Sequence, residues 1–201
     1  MRTTEILMSE HRVIETVLAC LEKMADETER KNALEVADAR DVVSFLTTFA
    51  DKCHHMKEED RLFPAMERFG MPREAGPTAV MRHEHEMGRA HVRLMDEAVT
   101  ASERGDAAAA GRFAFEARAF VELLREHIAK EDQILFPMAD RMLPAAVQDE
   151  LLVGFEHAEK DMGAGTHERF LDVAKRLCAR FGVTPGLAMA KAHTCSCSHH
   201  G

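Results

Sequence analysis

The sequence predicts an all-α protein, an up-down-up-down four-helix bundle with one or two extra C-terminal helices. Three observations point there. Helix formers dominate and β-branched runs are absent, glycine or proline marks the helix boundaries from the end of the second long segment onward, and the joints between the four long segments are short. A chain of 201 residues, 46% hydrophobic and 30% charged, has room for one sizeable core and is not of disordered composition.

The elements follow in order. Helix A is expected to start after Thr3 or Thr4, as N-cap, and to run to about Glu29. Helix B spans about Asp38 to Arg68 and stops at Gly70 with Pro72 beyond. Helix C opens on Gly76-Pro77 and ends at Gly105. Helix D takes Asp106 as N-cap and runs to about Met142, before Pro144. A shorter helix covers about Ala145 to Met162; Gly163 and Gly165 interrupt the chain, and a last helix covers Thr166 to Phe181. The expected organisation is a bundle over 1–143, C-terminal helices packed on it over 144–184, and a flexible Cys/His-rich tail over 185–201.

Composition narrows the function. A formal charge of −9 with no basic stripe argues against a nucleic-acid partner. No stretch approaches the ~18–20 apolar residues of a membrane span, and the first ten residues lack a secretory layout. Cys20, Cys53 and Cys178 are isolated, while Cys195 and Cys197 are too close for an ordinary staple, so a cytoplasmic, reducing location is expected. The 12 histidines ask for a metal.

Helices B and D carry an internal repeat. His54 through Pro64 matches His127 through Pro137 in the pattern H-x-x-K-E-[ED]-x-x-L-F-P. A His and a Glu four apart share one helical face, so each repeat offers two ligands to one ion. Helices A and C add His11 and His85. At ~1.5 Å per residue, both lie roughly 12 Å from their helix starts, and Glu58 and Glu131 lie roughly 15 Å before their helix ends. In an antiparallel bundle these groups reach one level.

Facing, at ~100° per residue, agrees. His11 falls with Leu7, Ile14 and Leu18; His54 with Val43, Thr47 and Ala50; His85 with Met81, Val92 and Val99; His127 with Phe113, Phe120, Leu123 and Ile134. The same rotation turns His55 outward with Thr48, Asp51 and Lys52. One such histidine is more often a satisfied core residue, and one His–Glu pair a surface ion pair. Four histidines coinciding in depth and facing beside two repeated carboxylates point to metal, because unpaired buried charges are costly. The metal ligands expected are His11, His54, Glu58, His85, His127 and Glu131.

On Glu10-His11, Cys53-His54-His55 through Pro64, Met81 through Arg89, and His127 through Pro137, the chain resembles the hemerythrin-like family, the HHE cation-binding domain, in its free-standing bacterial type. The resemblance covers about residues 3 to 142. It implies a four-helix bundle and two non-haem iron ions, bridged by Glu58, Glu131 and an oxo or hydroxo group. It also implies O2, NO or peroxide as ligand, for binding, scavenging or sensing. Alternatives are an enzyme reducing peroxide or NO, and an iron-handling protein for iron–sulfur cluster repair. One departure stands out. Animal relatives carry two histidines one turn apart on the third helix, whereas Met81 and Arg89 flank His85 here. His83, Glu159 or His55 are the candidates to supplement that position.

Lack of tyrosine argues against a tyrosyl-radical oxygenase. Cys53, next to His54, reads either as a redox thiol or as a buried structural cysteine. In the tail, Cys195, Cys197 and His199 form a further candidate metal site, set against a flexible segment that binds metal only adventitiously.

Overall fold

The computed structural model describes residues 2–163 and 165–186, all of whose regular elements are helical. Helix α1 (Thr3–Lys31) begins with Arg2 in the cap position, whose backbone N–H donates to Glu5 Oε2 at 2.9 Å. A threonine cap was expected; Thr3 and Thr4 instead lie inside the first turn. Their hydroxyls are drawn to Gln148 and, at 2.9 Å, to Asp140, tying the start of α1 to the C-terminal half. Asn32, in the left-handed region at φ 49°, ends the helix.

The second long helix is not uniform. It starts as α2 (Val36–Phe45), widens into a π-helical segment over Leu46–His55, and makes a second π turn over Glu58–Leu62. It then ends as α3 (Phe63–Arg68). Helix α4 (Pro77–Glu103) opens on proline as expected. Helix α5 (Ala109–Lys130) starts later than Asp106, whose Oδ1 accepts the Ala108 N–H at 2.9 Å and so shapes the turn before the helix. A π turn over Glu131–Leu135 leads into α6 (Phe136–Met142). Helices α7 (Ala145–Asp161) and α8 (Thr166–Phe181) follow, the last ending at Gly182 with φ 60°.

The two short π turns answer the two repeated prolines. Pro64 and Pro137 cannot donate to the ladder, and their rings crowd the turn before them. In each repeat the preceding Phe N–H reaches back five residues, Phe63 to Glu58 and Phe136 to Glu131, and the turn widens instead of breaking.

Helix α1 packs on α5 and α8, α2 on α4 and α8, and α4 on α5. Two apolar clusters result. The larger joins Val17, Leu21, Phe45, Val99, Phe113 and Phe170, the smaller Leu7, Leu62, Phe63, Leu135, Phe136 and Phe155. Along the chain His11 falls between Leu7 of one cluster and Ile14 of the other, His54 between Ala50 and Leu62, and His127 between Leu124 and Leu135. A buried polar layer thus separates two dry ones. No helix among the described residues is long and apolar enough to cross a membrane.

Candidate metal centre

The structure brings His11, His54, Glu58, His85, His127 and Glu131 into one buried layer, none more than 1% exposed. They fall into two groups. His11, His54, Glu58 and Glu131 place ligand atoms within 4.8 Å of one another, and so do His55, Glu58, His85 and His127. Glu58 belongs to both: its Oε1 lies 3.5 Å from His54 Nε2 and its Oε2 3.5 Å from His85 Nε2. Glu131 Oε2 lies 3.2 Å from Nε2 of both His11 and His127, which belong to different groups. Each carboxylate therefore spans the two positions.

His55 corrects the facing argument. It is 6% exposed and its ring stacks on His85 at 3.9 Å, pointing inward beside His54. A rotation of ~100° per residue holds for an α-helix, but residues 46–55 are π-helical, and the wider turn lets two successive side chains share the inner face. The position near His85 left open by Met81 and Arg89 is thus occupied from the neighbouring helix. In the second repeat the matching residue is Ile128, buried and apolar.

Outside this layer lies a ring of carboxylates that the sequence reading largely missed. His11 Nδ1 is 2.7 Å from Asp132, His54 Nδ1 2.8 Å from Glu10, His85 Nδ1 2.6 Å from Glu59, and His127 Nδ1 2.9 Å from Glu84. His55 Nδ1 lies 3.5 Å from Asp51. Each carboxylate meets a cation in turn: Lys57 on Glu10, Lys130 on Glu84, Arg12 on Asp132, and Arg89 on both Glu59 and Asp51 at 2.7 and 2.9 Å. Such carboxylates fix ring orientation and tautomer.

The arrangement is a pseudo-two-fold. Glu10-His11 and Glu84-His85 are equivalent, as are the two repeats. In each repeat the lysine holds the carboxylate that orients that repeat's histidine. The [ED] residue orients the histidine of the adjoining helix, and the Phe stacks on that same ring, Phe63 on His85 and Phe136 on His11. The repeated Glu-His dipeptide was the available signal for Glu10.

Electrostatics shows what the layer lacks. With Nδ1–H of His11, His54, His85 and His127 donated outward, each ring turns its Nε2 inward. Nε2 atoms of His85 and His127 face each other at 3.0 Å. Those of His11 and His54, and all four oxygens of Glu58 and Glu131, are buried without a hydrogen bond among the described residues. Burial, then repulsion from Glu131, pushes Glu58 well above the usual carboxylate range. For Glu131, burial is overcome by His127 and His11, and its carboxyl is held well below. Burial drives His54 down to about 4, whereas His127 rises to about 9 because Glu131 and Glu84 outweigh burial. Side chains alone cannot satisfy one another here. Cations at the two positions would satisfy these inward nitrogens and carboxylate oxygens at once, so the residues fit a metal pair.

The remaining candidates lie elsewhere. His83 is exposed. Glu159 is 43% exposed and bonds Lys57 Nζ at 2.7 Å. Cys195, Cys197 and His199 lie outside the described residues. Cys53 is buried, and burial together with the Glu10 charge pushes its thiol up to about 12, which keeps it protonated.

Comparison with known proteins agrees with this geometry. The family model described as the hemerythrin HHE cation binding domain matches residues 2–139. The chain is 25% identical over 166 residues to uncharacterized proteins of Mycobacterium bovis and Mycobacterium tuberculosis. The match takes in 83% of this chain and 62% of each relative, so the chain spans about 62% of the length of the curated relatives it matches. No solved structure matches the chain.

Proposed function

The chain belongs to the hemerythrin HHE cation-binding domain family, and from that premise we propose that it is a non-haem di-iron protein that binds a small ligand, O2, NO or peroxide, between four antiparallel helices. The observation that carries this reading is the convergence of inward imidazole nitrogens and two unpartnered carboxylates in a fully buried layer. His55, His85 and His127 would hold one ion, His11 and His54 the other, with Glu58 and Glu131 between them. An all-N/O donor set with two carboxylates suits iron or manganese rather than structural zinc, which favours thiolates.

When bound, the irons supply open coordination positions and electrons for a diatomic or peroxide ligand. The chain's own residues do the rest. The outer carboxylates fix the tautomer and aim of each imidazole, the two apolar clusters exclude bulk water, and Phe63 and Phe136 hold the rings of His85 and His11 in place. A cavity of about 160 Å³ adjoins His55, walled by Leu46, Ala50, Val92 and Phe120 with Asp51 and Arg89. At ~30 Å³ per liquid water it takes a few small molecules and no bulky substrate.

Absence of both tyrosine and tryptophan removes the usual outlets for one-electron oxidation. That favours reversible binding, with two-electron turnover of peroxide as the second reading. Anaerobic titration of the reduced protein with O2, NO and peroxide under optical spectroscopy tests both. A reversible charge-transfer band with O2 is the expected result; rapid peroxide consumption with turnover selects the second reading. Fewer than about one iron per chain, unchanged by Glu58→Ala, would overturn the site itself.

A further inference from the structure

Beside the layer described above lies another group of ligating side chains, of which the layer uses only Glu10, the carboxylate on His54 Nδ1. Glu10 of α1, Cys53 of the long π segment and His167 of the first turn of α8 place a carboxylate oxygen, a sulfur and a ring nitrogen within 4.8 Å of one another. Cys53 is 6% exposed, and His167 Nδ1 is buried with no hydrogen-bond partner among the described residues. Cys53, His167, Glu159 and Met162 border a void of about 10 Å³, on the scale of a single ion or water and too small for an organic ligand.

Charge points the same way. Glu10 and Glu159 both bind the one buried ammonium of Lys57, so two carboxylates share a single positive charge. We propose that Glu10, Cys53 and His167 bind one borderline divalent cation of the zinc class, separate from the iron pair. On binding, the Cys53 thiol proton leaves to solvent and a sulfur–metal bond forms; no electron changes hands. Two carboxylates and a thiolate are then balanced by the Lys57 ammonium and the dication. Three protein donors leave one position of a tetrahedron for water or Glu159. Sulfur distinguishes this donor set from the all-N/O layer, so the two sites sort metals by softness.

The site needs α8. Its three donors come from residues 10, 53 and 167, so a bound cation clips the C-terminal helix to the bundle across a long stretch of chain, where closing a loop costs the unfolded chain most.

Cadmium titration of the iron-loaded full chain tests this, in a Cys195→Ser/Cys197→Ser background that silences the tail. An ultraviolet thiolate-to-cadmium band should saturate at one equivalent. It should vanish in Cys53→Ser and need at least about tenfold more cadmium in His167→Ala, with iron content unchanged. His167 is only partly buried, so its replacement reads out even where Cys53→Ser folds poorly. Absence of the band, or a band indifferent to His167→Ala, overturns the proposal. Iron is assayed separately, so failure of the di-iron reading and failure of this site are distinguished.

Discussion

Lys57 and Lys130 occupy the same place in the repeat and do the same work on Glu10 and Glu84, yet they sit in different surroundings. Lys57 is fully buried and Lys130 is 37% exposed. Breaking a buried pair strands a charge and costs about 3–5 kcal/mol, whereas an exposed pair contributes about 0–1 kcal/mol. Lys57→Met should therefore lower the denaturation free energy by that larger amount and Lys130→Met by under about 1 kcal/mol, both read from urea titrations. Glu10 gives a pH signature of the same ion pair. Although burial opposes ionisation, Lys57 and His54 lower its carboxyl from 4.5 to about 2. Its contribution is complete above about pH 4.5 and is lost as pH falls through about 2, because the unfolded chain takes up the proton first. The metal-free protein should lose stability across that window, and Glu10→Gln should flatten the slope.

At the scale of elements, the helices were legible because glycine, proline and capping chemistry mark many of their ends; the start of α1 was misplaced because tertiary partners claim the hydroxyls of Thr3 and Thr4, and that of α5 because Asp106 caps the turn before the helix. Four histidines and two glutamates could be located by depth and facing because the rise and rotation of an α-helix hold over most of the chain. His55 could not. Its position depends on hydrogen bonds that skip five residues, and no periodicity of 3.6 encodes that choice. Comparing the repeats was the better guide, since a histidine stands where its twin has a buried isoleucine. A π segment is an α-helix with an extra residue taken up, so deleting half-buried Thr48 should return residues 46–55 to α pitch. Iron content should then fall by about half or more, while far-ultraviolet circular dichroism stays helical; undiminished iron would show that the widened turn does not set the site.

Over the whole molecule, α7 and α8 complete the two apolar clusters that enclose the polar layer, contributing Phe155 to one and Phe170 to the other. Phe170 lies against Phe45 edge-on at 6.1 Å and offers no ligand to the layer. Phe170→Ala should cost about 3–5 kcal/mol in denaturant titrations and leave bound iron unchanged. The packing of α8 on α1 and α2 was not legible in the sequence, since nothing in a helix's own pattern names the face that receives it. The exchange of His55 for Ile128 has a consequence for how the protein is filled. A perfectly symmetric layer would have interchangeable halves; this one offers three imidazoles on one side and two on the other. Calorimetric titration of the metal-free protein with ferrous iron should resolve two steps, and His55→Ile should merge them. Loading then has an order, and the half-filled protein becomes a species with its own lifetime, able to accept or surrender one ion while keeping the other.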